Sequence, residues 1–262
     1  MGKQKGILVV SYGSSYKEER EKSIGGIERA IAAAFPEYKI YRAFTSLTIV
    51  ERIWKKDGCR IDSICEALER AVSEGMRQMV IIQTHLVKGI RYEAMEKAVD
   101  AYKHKFEQLV VAEPILSADV NIEALADGLV SIGTAYDDGQ TAVCFVGHGI
   151  DEEYKIAYSC LQKCLDGRGY EHFYIGTLSV KPTRMDLVDC IQKKSIEHRV
   201  VLVPLMLVSG YHVRKDLAGT GENSWENTFS KLGYSVECVR RGLGEEDFMQ
   251  KIFIEHLKNV IL

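Results

Sequence analysis

Val200-Val201-Leu202-Val203-Pro204-Leu205-Met206-Leu207-Val208-Ser209-Gly210-Tyr211-His212 is the stretch on which the fold turns. From Val200 to Leu207 it is apolar without alternation, the pattern of a strand buried on both faces in a parallel sheet. The run breaks at Ser209-Gly210, and a histidine follows. The chain does much the same earlier. Met79–Thr84 (MVIIQT) is a near-continuous apolar strand, and Leu86-Val87-Lys88-Gly89-Ile90-Arg91 matches Leu207-Val208-Ser209-Gly210-Tyr211-His212, sharing Leu, Val and Gly at the same places. Two buried strands with matched ends imply two similar halves.

Working outward, each half opens alike. Gly6–Ser11 (GILVVS) runs into Ser11-Tyr12-Gly13, and Ala142–Gly147 (AVCFVG) runs into Gly147-His148-Gly149. Strands are further predicted at 39–43, 109–112, 172–176 and 235–239. Helical spacing predicts helices over 17–35, 62–75, 91–106, 121–132, 152–165, 184–194, 225–232 and 247–260. Alternating β and α with apolar strands means parallel sheets covered by helices, joined by right-handed crossovers. The expected class is α/β: two similar lobes, each a parallel sheet flanked by helices, over residues 1–125 and 126–262.

Composition narrows the function. The chain has 262 residues, 46% hydrophobic and 27% charged, with a net charge of −3. That length buries a full core without disulfides or a structural metal. The charge balance argues against a dedicated nucleic-acid binder, and no apolar run reaches the roughly 18 residues of a membrane helix. The apolar segment Ile7–Val10 is too short for a secretory signal. Seven cysteines, an odd number, some inside apolar runs, indicate reduced thiols and a cytoplasmic location.

In open α/β sheets, ligands bind beyond the carboxyl ends of the strands. The internal match therefore singles out two ligand-facing positions per half. They are Tyr12 and Arg91 in the first, His148 and His212 in the second. Imidazole suits Zn, Co, Ni and Fe, and also accepts protons near neutral pH. A strand-end histidine that only hydrogen-bonds a nearby carbonyl is the bland alternative, and two at equivalent positions weigh against it. Cys160 and Cys164, one helical turn apart, read as buried thiols. Gly13-Ser14-Ser15 lacks the spacing of a nucleotide-binding loop.

These residues carry a resemblance. The segments Val9–Tyr16, Arg42-Ala43-Phe44-Thr45-Ser46, Gly147-His148-Gly149, Val203–His212, Asp216-Leu217-Ala218-Gly219, Asn223-Ser224-Trp225 and Gly242-Leu243-Gly244-Glu245 occur in order across nearly the whole chain. Together the chain resembles the class II tetrapyrrole chelatases, and specifically the anaerobic sirohydrochlorin cobaltochelatases of cobalamin biosynthesis. The resemblance implies two flavodoxin-like lobes enclosing a central cleft. A flat, carboxylate-rich macrocycle enters it and takes up a divalent metal as two pyrrole protons leave. It also implies that His148 and His212 bind the metal and assist deprotonation. The expected metal is Co2+, with Ni2+ or Fe2+ as alternatives. Tyr12, Ser14, Arg42, Thr45, Ser46, Lys88, Arg91 and Tyr211 are the expected substrate contacts, and Glu93 is a further metal-ligand candidate.

The chain also departs from the family pattern. Arg91 stands where the family has a carboxylate, Tyr211 where an acid precedes the second histidine, and Lys181 lies where another acid is lost. An arginine near two ligand histidines repels a cation, or else clamps a substrate carboxylate. The alternative function is therefore a chelatase-like protein that holds a tetrapyrrole or a metal without inserting cobalt. A flavin-binding domain is a third reading. The expected partners are a tetrapyrrole and a second copy of the chain, with neither nucleic acid nor membrane.

Overall fold

Among the described residues, eight strands form where the apolar runs predict them. They are seen in a computed structural model, which describes residues 4–88, 90–117, 119–149, 152–194 and 198–261. In the first half β1 (Lys5–Ser11), β2 (Tyr38–Phe44), β3 (Gln78–Gln83) and β4 (Gln108–Val111) make one parallel sheet in the order β2-β1-β3-β4. In the second, β5 (Thr141–Gly147), β6 (Phe173–Thr177), β7 (Arg199–Leu205) and β8 (Ser235–Cys238) repeat that topology as β6-β5-β7-β8. The α/β expectation of two like sheets therefore holds.

Position in the sheet explains composition. Each of β1 and β5 pairs on both sides, and every residue of Thr141–Gly147 is buried. The edge strands β4 and β8 are only partly covered. Full burial of a Val, Leu or Ile side chain contributes about 1.5–3 kcal/mol, so the inner runs Gly6–Val10 and Ala142–Val146 carry no charged or hydroxyl side chain. The helices are α1 (Lys17–Ala34), α2 (Leu47–Asp57), α3 (Ile64–Ser73) and α4 (Ile90–Asp100). They continue with α5 (Asp119–Gly133), α6 (Glu152–Gly167), α7 (Arg184–Lys194), α8 (Trp225–Lys231) and α9 (Asp247–Ile261).

Three differences from the sequence expectation have physical causes. α2 was not expected, because only Ile53 along it is buried while Leu47 and Trp54 are exposed. Its ends define it instead. The Ser46 hydroxyl accepts from the Ile49 N–H, and Gly58 closes it in the left-handed region at φ +62°. β7 stops at Leu205 rather than 207, because the Met206 and Leu207 carbonyls accept from Leu243 and Gly244 N–H instead of a strand neighbour. α4 ends at Asp100, and a separate 3-10 turn covers Lys103–Lys105.

Packing divides the chain into Met1–Ser117 with Gln250–Leu262, and Ala118–Met249. The boundary read from sequence, 125/126, falls inside the continuous helix α5, so the division lies before it. Most of α9 belongs with the first unit, where His256 Nε2 donates to the Glu113 carbonyl at 2.7 Å.

Candidate metal centre

In the second unit three strands end together. Gly147 is in register with Thr177 on one side and Leu205 on the other, and His148 leaves the sheet at that edge. Its neighbours must be glycine. A Cβ on Gly147 would stand 2.3 Å from the Tyr158 hydroxyl, and Gly149 has φ +64° with Thr177 directly over it. His148 is thus held on a turn that other residues cannot make.

His212 arrives from β7. The turn Ser209-Gly210 leads into a π-helical turn, Val213–Leu217, closed by Ala218 N–H to the Val213 carbonyl at 2.9 Å. Such turns recur at functional sites because they displace side chains from the ordinary helical path. Here Asp216, four residues on, reaches back so that its Oδ2 lies 2.7 Å from His212 Nδ1.

The two imidazoles face each other. His148 Nε2 and His212 Nε2 are 2.9 Å apart, with the rings edge to face at 79°. The carboxylate of Asp216 fixes the hydrogen positions. An ionised carboxylate only accepts, so His212 Nδ1 carries hydrogen and its Nε2 is left with a lone pair. His148 Nε2–H then donates across the 2.9 Å gap. The spacing also suits a shared ion. Two nitrogens each about 2.0–2.1 Å from one divalent metal, at about a right angle, stand about 2.9 Å apart.

A pocket of 380 Å3 opens beside the pair, with His148, His212, Asp216, Thr177, Thr183 and Arg184 in its lining. Tyr211 is half exposed. Its ring meets the His212 ring edge to face, and its hydroxyl accepts from Lys215 Nζ at 2.7 Å. That bond raises the Lys215 ammonium above its ordinary pKa. Among the described residues no three His, Cys, Asp or Glu side chains gather as a closed metal cage.

The first unit treats its expected site residues differently. Arg42 is a correction. Its Nε donates to Glu28 at 2.8 and 3.0 Å and its Nη1 to Glu21 Oε1 at 3.0 Å, so the guanidinium ties β2 to α1 instead of facing a ligand. Burial opposes the charge on Arg42, and the hydrogen bonds to Glu28 and Glu21 more than restore it, leaving its pKa raised. Glu28 is itself pushed up, burial outweighing Arg42. Ser14 is buried, its hydroxyl accepts from Tyr16 N–H at 3.3 Å, and its carbonyl accepts from the buried Arg20 at 3.0 Å. Ser46 caps α2. Both serines therefore serve local structure. Tyr12 is exposed, and Thr45 is part-covered with its hydroxyl unbonded. Lys88 is exposed, 3.8 Å from Glu113 and over the Tyr92 ring. Glu93 stands exposed in the first turn of α4. The side chain of Arg91 lies outside the described residues.

With this geometry in view, comparison decides the family. The family model for cobalt chelatase (CbiK) matches residues 5–262. The chain belongs to that family.

Among curated relatives, it is 30% identical over 258 residues to the sirohydrochlorin cobaltochelatase of Salmonella typhimurium. The match covers 98% of this chain and 97% of that one. It is 27% identical over 256 residues to sirohydrochlorin cobaltochelatase CbiKC of Nitratidesulfovibrio vulgaris, covering 97% and 89%. Among solved structures, SirB from Bacillus subtilis with Fe3+ superposes with a TM-score of 0.66 at 16% identity, over 98% of this chain and 95% of that one. At that identity the likeness shows a shared fold. Within this family frame, two residues at the histidine pair escaped the sequence reading of the site. Asp216 had a legible signal, the His212-x-x-x-Asp216 spacing that puts both on one helical face. Arg184 had none, because only the folded pocket brings it near the histidines.

Proposed function

We propose that the protein inserts a divalent metal, cobalt foremost, into sirohydrochlorin or a related reduced tetrapyrrole, with His148 and His212 as the working pair. The observation that carries this is the 2.9 Å approach of the two Nε2 atoms with Asp216 behind one of them. The names of the two curated relatives support the substrate and the metal.

The chemistry suits an open two-imidazole site. Insertion exchanges two pyrrole protons for one M2+, so the protein must offer bases and must release the metal afterwards. A closed cage of three or four ligands would keep the ion. Two neutral nitrogens hold a borderline divalent cation loosely and accept protons as it leaves. Asp216 fixes the His212 tautomer and keeps its Nε2 lone pair aimed at His148. Tyr12, Thr45, Lys88 and Tyr211 remain the substrate contacts in this reading. Arg91 is retained as a clamp for a substrate carboxylate. Ni2+ and Fe2+ are the alternative metals. The odd number of cysteines, some inside apolar runs, supports the cytoplasm as its compartment. No helix of the described residues is long and apolar enough to cross a membrane.

The test is anaerobic insertion of Co2+, Ni2+ and Fe2+ into sirohydrochlorin, followed by absorbance. Turnover with at least one metal, fastest with Co2+, is the expected result. Failure of all three to exceed the uncatalysed rate overturns the reading. Tight macrocycle binding with no turnover would move the protein to a holding role.

A further inference from the structure

Arg184 is the first residue of α7 and lines the 380 Å3 pocket that also contains His148, His212 and Asp216. Its guanidinium is poorly compensated. Nη1 donates to the Asn223 carbonyl, and Nε is buried with no hydrogen-bond partner. No carboxylate among the described residues lies within ion-pair distance of it. Arg42 in the first unit is the contrast, a guanidinium saturated by two glutamates.

From this arrangement we infer that Arg184 is a specificity-determining residue, which receives an acidic arm of the macrocycle in the pocket beside the histidine pair. The inference rests on the proposed reaction. Three physical points support it. An arginine fork matches a carboxylate in two parallel hydrogen bonds. Thr183 and Arg184 bring the N-terminus of α7 to the same pocket, where the helix dipole favours negative charge. Burial alone acts on Arg184 and lowers its pKa, with no anion opposing it, so an arriving carboxylate would relieve that cost. Holding one arm there would anchor the macrocycle beside His148 and His212.

The experiment measures binding of metal-free sirohydrochlorin by fluorescence quenching, with KM and kcat for Co2+ insertion, in wild type, Arg184→Gln and Arg184→Lys. Affinity for Co2+ alone serves as a control. Arg184→Gln should weaken macrocycle binding and raise KM by about tenfold or more, leaving kcat at saturation and Co2+ affinity near wild type. Arg184→Lys should recover part of the loss, since it keeps the charge without the fork. Equal macrocycle affinity in wild type and Arg184→Gln overturns the assignment. So does inorganic phosphate that stabilises wild type but not Arg184→Gln, at concentrations that leave macrocycle affinity unchanged, since Arg184 would then serve a free anion. A wild type that neither binds nor metallates sirohydrochlorin overturns the proposed function and this role with it. A normal wild type beside an unaffected Arg184→Gln overturns this role alone.

Discussion

At the carboxyl end of the first sheet, polar side chains turn onto the protein itself. Thr84 Oγ1 donates to Ser11 Oγ at 3.0 Å, Ser14 takes the Tyr16 N–H, and Ser46 caps α2. At the same end of the second sheet, two imidazoles turn toward each other over a pocket. The strand order is the same in both units. The fold therefore supplies positions, and the residues at those positions decide whether an edge presents paired imidazoles or hydroxyls bonded within the protein. Tyr12 and His148 mark the same place after a central strand. Only His148 has a partner imidazole, because Arg91 holds in the first unit the position that His212 holds in the second.

The largest test of this contrast is to remove one imidazole. His212→Ala should cut metal insertion by about 100- to 10,000-fold, measured as initial rate under anaerobic conditions. Because His212 is half exposed, the thermal midpoint should move little, within the scatter of surface substitutions, about 0.5 kcal/mol. Tyr12→Ala in the first unit should leave kcat near wild type. Comparable losses from both would erase the distinction between the edges.

The next effect is on stability and belongs to the first unit. Arg42→Ala leaves Glu28 mostly buried without its partner, which should cost about 3 kcal/mol in denaturant unfolding, with kcat unchanged. The pH dependence follows from the sign of the shift. Glu28 has a raised carboxyl pKa in the folded protein, and losing Arg42 removes what holds it down. The unpaired charge is present at neutral pH and is neutralised as pH falls. The deficit of Arg42→Ala should therefore be greatest at neutral pH and narrow on acidification. A large kcat loss in this variant would return Arg42 to the substrate site.

Arg42 also shows where sequence reading stops. Strand positions were legible because a parallel sheet buried on both faces demands unbroken apolar runs, as in Val200–Leu205. The two histidines were legible because the halves match and the mismatch falls at ligand-facing ends. The pairing of Arg42 was not. A residue on β2 shows by its type that it is charged, but only the packing of β2 against α1 shows that Glu21 and Glu28 wait for it. α2 was missed for the complementary reason. Its caps, Ser46 and Gly58, are local signals, yet its single buried residue leaves no stripe to read. Likewise Arg184 lies outside the matched segments, and its place beside the histidines is purely tertiary.

A smaller effect sharpens the role of the second unit's carboxylate. Asp216→Asn keeps the shape behind His212 but removes the charge that fixes the Nδ1 hydrogen. Insertion should fall about 10- to 100-fold, with Co2+ affinity falling in the same variant. Asp216→Glu should recover part of the rate, as a purely structural role would not require. An Asn variant with wild-type rate and metal affinity would mean that the π-helical turn alone aims His212.

The smallest effect compares how the two units start the helix after their second strand. In the first unit a hydroxyl, Ser46, caps α2. In the second, Thr183 and Asp186 cap α7 reciprocally. Asp186 Oδ2 accepts from Thr183 N–H at 2.7 Å and from Thr183 Oγ1–H at 2.6 Å. Those bonds hold the Asp186 carboxyl below its ordinary pKa. A carboxyl lowered in the folded state stabilises above its unfolded value, and that contribution fades as pH falls through the folded one. Asp186→Ala should thus cost about 1 kcal/mol at neutral pH, and the gap to wild type should close in acid. Ser46→Ala should cost a similar amount at every pH, since a hydroxyl does not titrate there. The two variants, unfolded side by side across the acid range, separate a charged cap from a neutral one. A gap for Asp186→Ala that persists in acid would show that the Thr183 contact stabilises α7 through packing rather than through the ionised carboxylate.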